Sequence, residues 1–143
     1  MIAVDANILV YAHRRDSEFH TPAAACMHEL AEGPAGWAIP WPCLHEFLAI
    51  VTHRRIYDPP STTEQAIGQV DAWLESPTAV LLSETHNHWA VLRSLLQVGR
   101  VTGPVVHDAR VAAVCVAHGV DVLLSVDRDF GRFPGLRVRN PLQ

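Results

Sequence analysis

Four acidic residues carry the most chemistry in this chain: Asp5 in IAVDAN, Glu46 in CLHEFL, Asp108 in VVHDARVAA and Asp127 in LLSVDRDF. Each stands beside apolar sequence of the kind that builds a core, so residues scattered over most of the chain can converge on one pocket. Carboxylates packed together repel unless a cation joins them. Hard oxygen donors of this sort suit Mg²⁺ or Mn²⁺, which keep several waters and bridge to substrate phosphates. The chemistry this points to is metal-dependent hydrolysis of a phosphodiester, in which one or two bound ions activate water and clamp the phosphate oxygens. Asp5 and Asp108 are expected to hold the main ion, with Asp127 and Glu46 completing the shell. Water attack would leave a 5′-phosphate and a 3′-hydroxyl.

The elements that must position these acids are short apolar strands alternating with longer amphipathic segments. Residues Met1 to Asp5 read as a buried strand, and Asn7 is placed to cap a helix through His13. A second helix is expected from near Thr21-Pro22 to Gly33. Gly36 to Ile39 reads as a strand, and a helix from about Trp41 to Arg54 carries Glu46. Thr62 or Thr63 can cap a helix reaching Leu74, and Ala79 to Leu82 is the next strand. Glu84 to Val98 reads as helix. Val105 to His118 is a nearly all-apolar helix ending at Gly119 and is expected to be buried on most sides. Val122 to Val126 and Leu136 to Val138 read as a core strand and an edge strand. This alternation predicts an α/β fold with a parallel sheet flanked by helices on both faces. Sites in such sheets form beyond the carboxyl ends of the strands, where Asp5 and Asp127 both fall.

At 143 residues, 49% hydrophobic and 18% charged, the chain suits one domain spanning residues 1–143. No stretch approaches the roughly twenty apolar residues of a membrane span, and a cytoplasmic protein is expected. Cys26, Cys43 and Cys115 are odd in number and set in apolar patterns, which predicts buried, reduced thiols rather than disulfides. Neither Cys115 with His118 nor His86 with His88 supplies the four ligands of a structural zinc site. Trp37, Trp41, Trp73 and Trp89 are candidates for core or interface. A net charge of −4 excludes coating of nucleic acid by bulk electrostatics but leaves room for a local basic surface. All eleven basic residues are arginine, and Arg14, Arg15, Arg54, Arg55, Arg128 and Arg132 are the candidates for phosphate contact.

Taken together and in order, VDAN, the helical Glu46, HDARVAA and SVDRDF resemble the PIN domain, and more narrowly the VapC toxins of type II toxin–antitoxin pairs. The resemblance spans nearly the whole chain. It implies an endoribonuclease using Mg²⁺ or Mn²⁺, acting on transfer or ribosomal RNA, held inactive by a cognate antitoxin and commonly a homodimer. It also implies roles: Asp5, Glu46, Asp108 and Asp127 as the acidic quartet, Asp129 as an accessory acid, and Asn7 and Ser125 as supporting polar residues. The family often has threonine where this chain has Ser125; the hydroxyl is kept. Two other readings stay open on sequence grounds. One is a non-catalytic binding module that uses its acidic groove to capture arginines. The other is a phosphohydrolase with Asp5 as nucleophile, disfavoured because Asn7 stands where a second acid would be needed and the chain has no lysine.

Overall fold

In the computed structural model, which describes residues 1–143, five strands are interleaved with six helices, two helices following each of the first three strands. The order is β1 (Ile2–Val4), α1 (Ala6–His13), α2 (His20–Glu32), β2 (Trp37–Pro40), α3 (Trp41–Val51), α4 (Thr63–Leu74), β3 (Ala79–Leu82), α5 (His88–Val98), α6 (Val105–Ala117), β4 (Val122–Leu124) and β5 (Val138–Arg139), with a 3₁₀ turn at Arg128–Arg132. All pairings are parallel and the strands lie in the order β3-β2-β1-β4-β5. The chain builds outward from β1 to β2 and β3 and then returns to the other side of β1, where Val4 pairs in register with Leu124 of β4. The crevice between β1 and β4 is thus the point where the winding reverses, the place at which α/β sheets open to a ligand.

The sheet is covered on both faces. Trp37, Ala38 and Ile39 point alternately to opposite sides, yet none is more than 1% exposed. Both faces draw on one apolar core that includes Val4, Ile8, Leu9, Phe47, Val114, Leu123 and Phe130. α6 contributes more buried residues than any other helix: Ala109 and the run from Val111 to Cys115 are all buried, as its near-continuous apolar sequence requires. α4 starts with a reciprocal capping box, Thr62 Oγ1 accepting from the Gln65 N–H and Gln65 Oε1 accepting from the Thr62 N–H. No helix is long and apolar enough to cross a membrane. The three cysteines are free; Cys43 and Cys115 are buried, whereas Cys26 is partly open.

Several boundaries depart from the sequence expectation: α3 ends at Val51 rather than Arg54, β4 at Leu124 rather than Val126, and the edge strand is Val138–Arg139 rather than Leu136–Val138. Two further departures have a clear local reason. The cap of α1 is Asp5, whose Oδ1 accepts from the Ala6 N–H, so Asn7 lies inside the helix. Residues 83–87 stay outside α5, which begins only at His88. The Ser83 carbonyl accepts from His118 Nε2, and Glu84 pairs with Arg110, so contacts with α6 hold this segment away from helix.

Candidate active site

Asp5 stands at the carboxyl end of β1, 6% exposed, with its backbone N–H bonded to the Leu124 carbonyl of β4. Each oxygen of its carboxylate accepts two hydrogen bonds. Oδ1 accepts from Ala6 N at 2.8 Å and from the Cys43 thiol at 3.4 Å, and Oδ2 accepts from Ser125 Oγ at 2.6 Å and Asn7 Nδ2 at 3.2 Å. Burial pushes the Cys43 thiol well up, which keeps its proton available to donate. Burial also raises the Asp5 pKa, against the pull of Ser125, Ala6 and Cys43, and the charge of Asp127 adds to the rise. Ser125, 2% exposed, spends its hydroxyl fully: it donates to Asp5 and accepts from Asn7 Nδ2 and from the Asp127 N–H. Asn7 completes the link by accepting from the Val126 N–H through Oδ1. The two polar residues nominated beside the acids therefore tie the end of β1 to the end of β4.

Asp5, Glu46, Asp108 and Asp127 line one open pocket of about 440 Å³, with Asn7 beside them. Asp108 enters from the first turn of α6, and its pKa is raised from 3.8 to about 6, first by desolvation and then by Asp127, Asp5, Asp129 and Glu46. Glu46 reaches in from α3. As a residue it is exposed, yet desolvation of its carboxyl leads the rise in its pKa, with Asp5 and Asp127 adding to it and His107 opposing it. Asp127 caps the 3₁₀ turn through Oδ1 and the Asp129 N–H. One carboxylate oxygen from each of Asp108, Asp127 and Asp129 lies within 4.8 Å of the others. Three hard oxygen donors that close, beside Asp5 and Glu46 and with Asp108 itself pushed toward protonation first by desolvation and then by neighbouring acids, fit a divalent cation of the Mg²⁺ or Mn²⁺ kind. Asp129, nominated only as accessory, is in this tight trio, while Asp5 faces the pocket from outside it.

The nominated arginines are more dispersed. Arg14 is spent on the fold: it forks onto both oxygens of Asp16, donates to Ser61 Oγ and the Pro59 carbonyl, and lies 4.2 Å from the centre of the Tyr57 ring. The eight residues of α1 separate it from Asp5, about 13 Å along the axis. Arg15, Arg54 and Arg55 are exposed, the last two beyond the end of α3. Arg128 is exposed next to Asp127, and Arg132 donates to the Gly99 carbonyl. The arginine that does line the acidic pocket is Arg110, with His107 one turn before it. It was missed because it stands alone within an apolar helix; the signal available was its place two residues after Asp108.

A PIN domain model matches residues 2–136. Ribonuclease VapC43 of Mycobacterium tuberculosis is 36% identical over 142 residues, which is 99% of this chain and 96% of that protein. The chain belongs to the PIN-domain family, among the VapC ribonucleases. Solved PIN structures share the fold at lower identity. VapC20 of Mycobacterium tuberculosis, described as a Sarcin-Ricin loop cleaving toxin, superposes with a TM-score of 0.66 at 17% identity, covering 96% of this chain and 99% of that one. A toxin–antitoxin complex from Klebsiella pneumoniae gives 0.62 at 17%, covering 99% and 98%. The crevice of this PIN domain thus lies in a sheet shared across distant relatives.

Proposed function

We propose that this PIN domain is a metal-dependent endoribonuclease, the toxin of a toxin–antitoxin pair, that hydrolyses RNA with water as nucleophile. The observation that carries the reading is the convergence of Asp5, Glu46, Asp108 and Asp127 on one pocket at the β1–β4 crevice. The names and descriptions of the relatives support the ribonuclease and antitoxin parts, and sequence resemblance supports a homodimer. Asp108, Asp127 and Asp129 would hold Mg²⁺ or Mn²⁺ from the open side, Asp5 from the floor and Glu46 from α3. Bound there, the ion supplies a more acidic water and charge neutralisation at the phosphate.

The residues of the chain do the remainder. Ser125 and Asn7 hold the Asp5 carboxylate in one orientation, so no reorganisation is needed when substrate arrives. Glu46 reaches in from α3 and can complete the ion's shell directly or by accepting a hydrogen bond from one of its waters. Asp5 is poorly suited to be a covalent nucleophile, because it is almost buried and Asn7 stands where a second acid would be needed. Exposed Trp89 and Val98 on α5, and Ile67 and Leu74 on α4, offer apolar surface to a second copy and to an antitoxin. The RNA is expected to be presented as an exposed single-stranded loop of transfer or ribosomal RNA.

The test is cleavage of total cellular RNA by the purified chain with Mg²⁺ or Mn²⁺ against EDTA, alongside Asp5→Asn and Asp108→Asn, with product ends mapped. Discrete metal-dependent cuts bearing 5′-phosphates and lost in both variants are expected. Cyclic phosphate ends would refute water attack. Absence of cutting by folded, metal-loaded protein would favour a binding module.

A further inference from the structure

Each of the four pocket acids carries a negative charge when ionised, and RNA brings another on every phosphate. A substrate strand laid across this pocket therefore needs fixed positive charge at the rim as well as an ion inside. Only two side chains lining the pocket can supply it, His107 and Arg110, both on α6. Arg110 is the permanent cation. Its guanidinium is also aimed: Nε donates to Glu84 Oε1 at 3.0 Å, and Nη2 lies 3.0 Å from the same oxygen. That hold fixes the plane of the fork and leaves Nη1 without a partner in the chain. The loop bearing Glu84 is itself anchored, since the neighbouring Ser83 carbonyl accepts from His118 Nε2 at 2.8 Å.

The pair has little to do with stability. The side chains of Arg110 and Glu84 are 42% and 41% exposed, and exposed ion pairs contribute little to folding. What the pair does achieve is orientation of a half-free guanidinium at the edge of a pocket that must receive a phosphate. We propose that Arg110 binds an RNA phosphate beside the scissile bond, and that Glu84 is the positioning residue that aims it. This rests on the ribonuclease reading of the pocket. It places the substrate strand along the α6 edge of the site, on the side of the β3–α5 loop, rather than toward Arg14 at the far end of α1.

The test compares Arg110→Gln, Arg110→Lys and Glu84→Gln with the unaltered protein. Binding of a labelled single-stranded oligouridylate is measured with Ca²⁺ across a range of salt, cleavage with Mn²⁺, and Mn²⁺ affinity by calorimetry without RNA. Arg110→Gln should weaken oligouridylate binding about tenfold. It should also flatten the dependence of log Kd on log salt by about 0.7, the value for one phosphate contact on a single strand. Its Mn²⁺ affinity should hold or tighten, because a positive charge has left the rim. Arg110→Lys should keep the salt slope but bind more weakly than arginine, since an ammonium cannot fork. Glu84→Gln should keep the slope and lose mainly kcat. An unchanged salt slope in Arg110→Gln would overturn the proposal, and so would a fall in Mn²⁺ affinity matching the fall in RNA affinity. Unaltered protein that binds the oligonucleotide but cuts no RNA would instead defeat the ribonuclease reading, and the salt slope would still decide whether Arg110 meets phosphate.

Discussion

Replacing Asp108 by asparagine should stabilise the metal-free protein while it abolishes cleavage. Asp108 titrates near 6 in the fold, against 3.8 for an ordinary aspartate. Between those values the folded state keeps a proton that the unfolded chain has released, so stability falls as pH rises through the interval, and the whole penalty is present above about 6. The gap corresponds to about 3 kcal/mol at 1.36 kcal/mol per pKa unit. Solvent in the open pocket screens this to about 1–1.5 kcal/mol. The charge also sits in the first turn of α6, where the helix dipole favours it by about 0.5 kcal/mol, a benefit the asparagine gives up. The net gain is up to about 1 kcal/mol at pH 7, or about 2–4 °C in Tm for a chain of this size. Thermal unfolding in EDTA from pH 4 to pH 8 reads it directly: the two proteins should differ most above pH 6 and converge toward pH 4. Mg²⁺ should then raise the Tm of the original protein more than that of the variant. A variant less stable than the original at pH 7 in EDTA, or a difference that ignores pH, would refute the idea that the fold holds the charged Asp108 carboxylate at a cost, first from desolvation and then from its acidic neighbours.

Ser125→Ala leaves Asp5 Oδ2 with Asn7 alone and takes an acceptor from the Asp127 N–H; a loss of about 1–3 kcal/mol in chemical denaturation is expected, together with loss of cleavage. Thr62→Ala should cost about 1 kcal/mol through the α4 capping box and leave cleavage per folded molecule unchanged, which a denaturant midpoint beside a rate assay will show. Metal affinity should fall as pH drops through about 6, with protons released on binding at that pH, measurable by calorimetry in buffers of different ionisation enthalpy.

The acids were legible because strand ends in an alternating α/β pattern have one destination. Asp5 and Asp127 follow β1 and β4, and the reversal of winding at β1 brings those ends together. Asn7 was recognised as a polar partner, but its place in the helix was misread, because Asp5 can be both helix cap and pocket carboxylate and sequence alone does not choose between two candidate caps. Arginines were read by adjacency along the chain, a guide that fails where a helix carries neighbours away from the site, as α1 does with Arg14, or where an ion pair consumes one. Arg110 has no basic neighbour in sequence, and its significance depends on Glu84, which approaches only through tertiary contact. The delayed start of α5 has the same origin, since contacts made by Ser83 and Glu84 outweigh local helix propensity there.

The join between β1 and β4 also bears on how such a protein can be made safely. Asp5 is synthesised 120 residues before its hydrogen-bond partner Ser125, and its pocket neighbour Asp127 follows later still. A growing chain that still lacks β4 holds Asp5 without Ser125 to orient it and without Asp127 to share an ion. No truncated or stalled product short of that strand carries an assembled pocket. Pairing of such distant segments is also slow compared with local helix formation. The interval between synthesis of β4 and closure of the β1–β4 crevice is therefore one in which the chain exists but its acids are not yet gathered, so a partner that binds then meets it before the pocket is assembled.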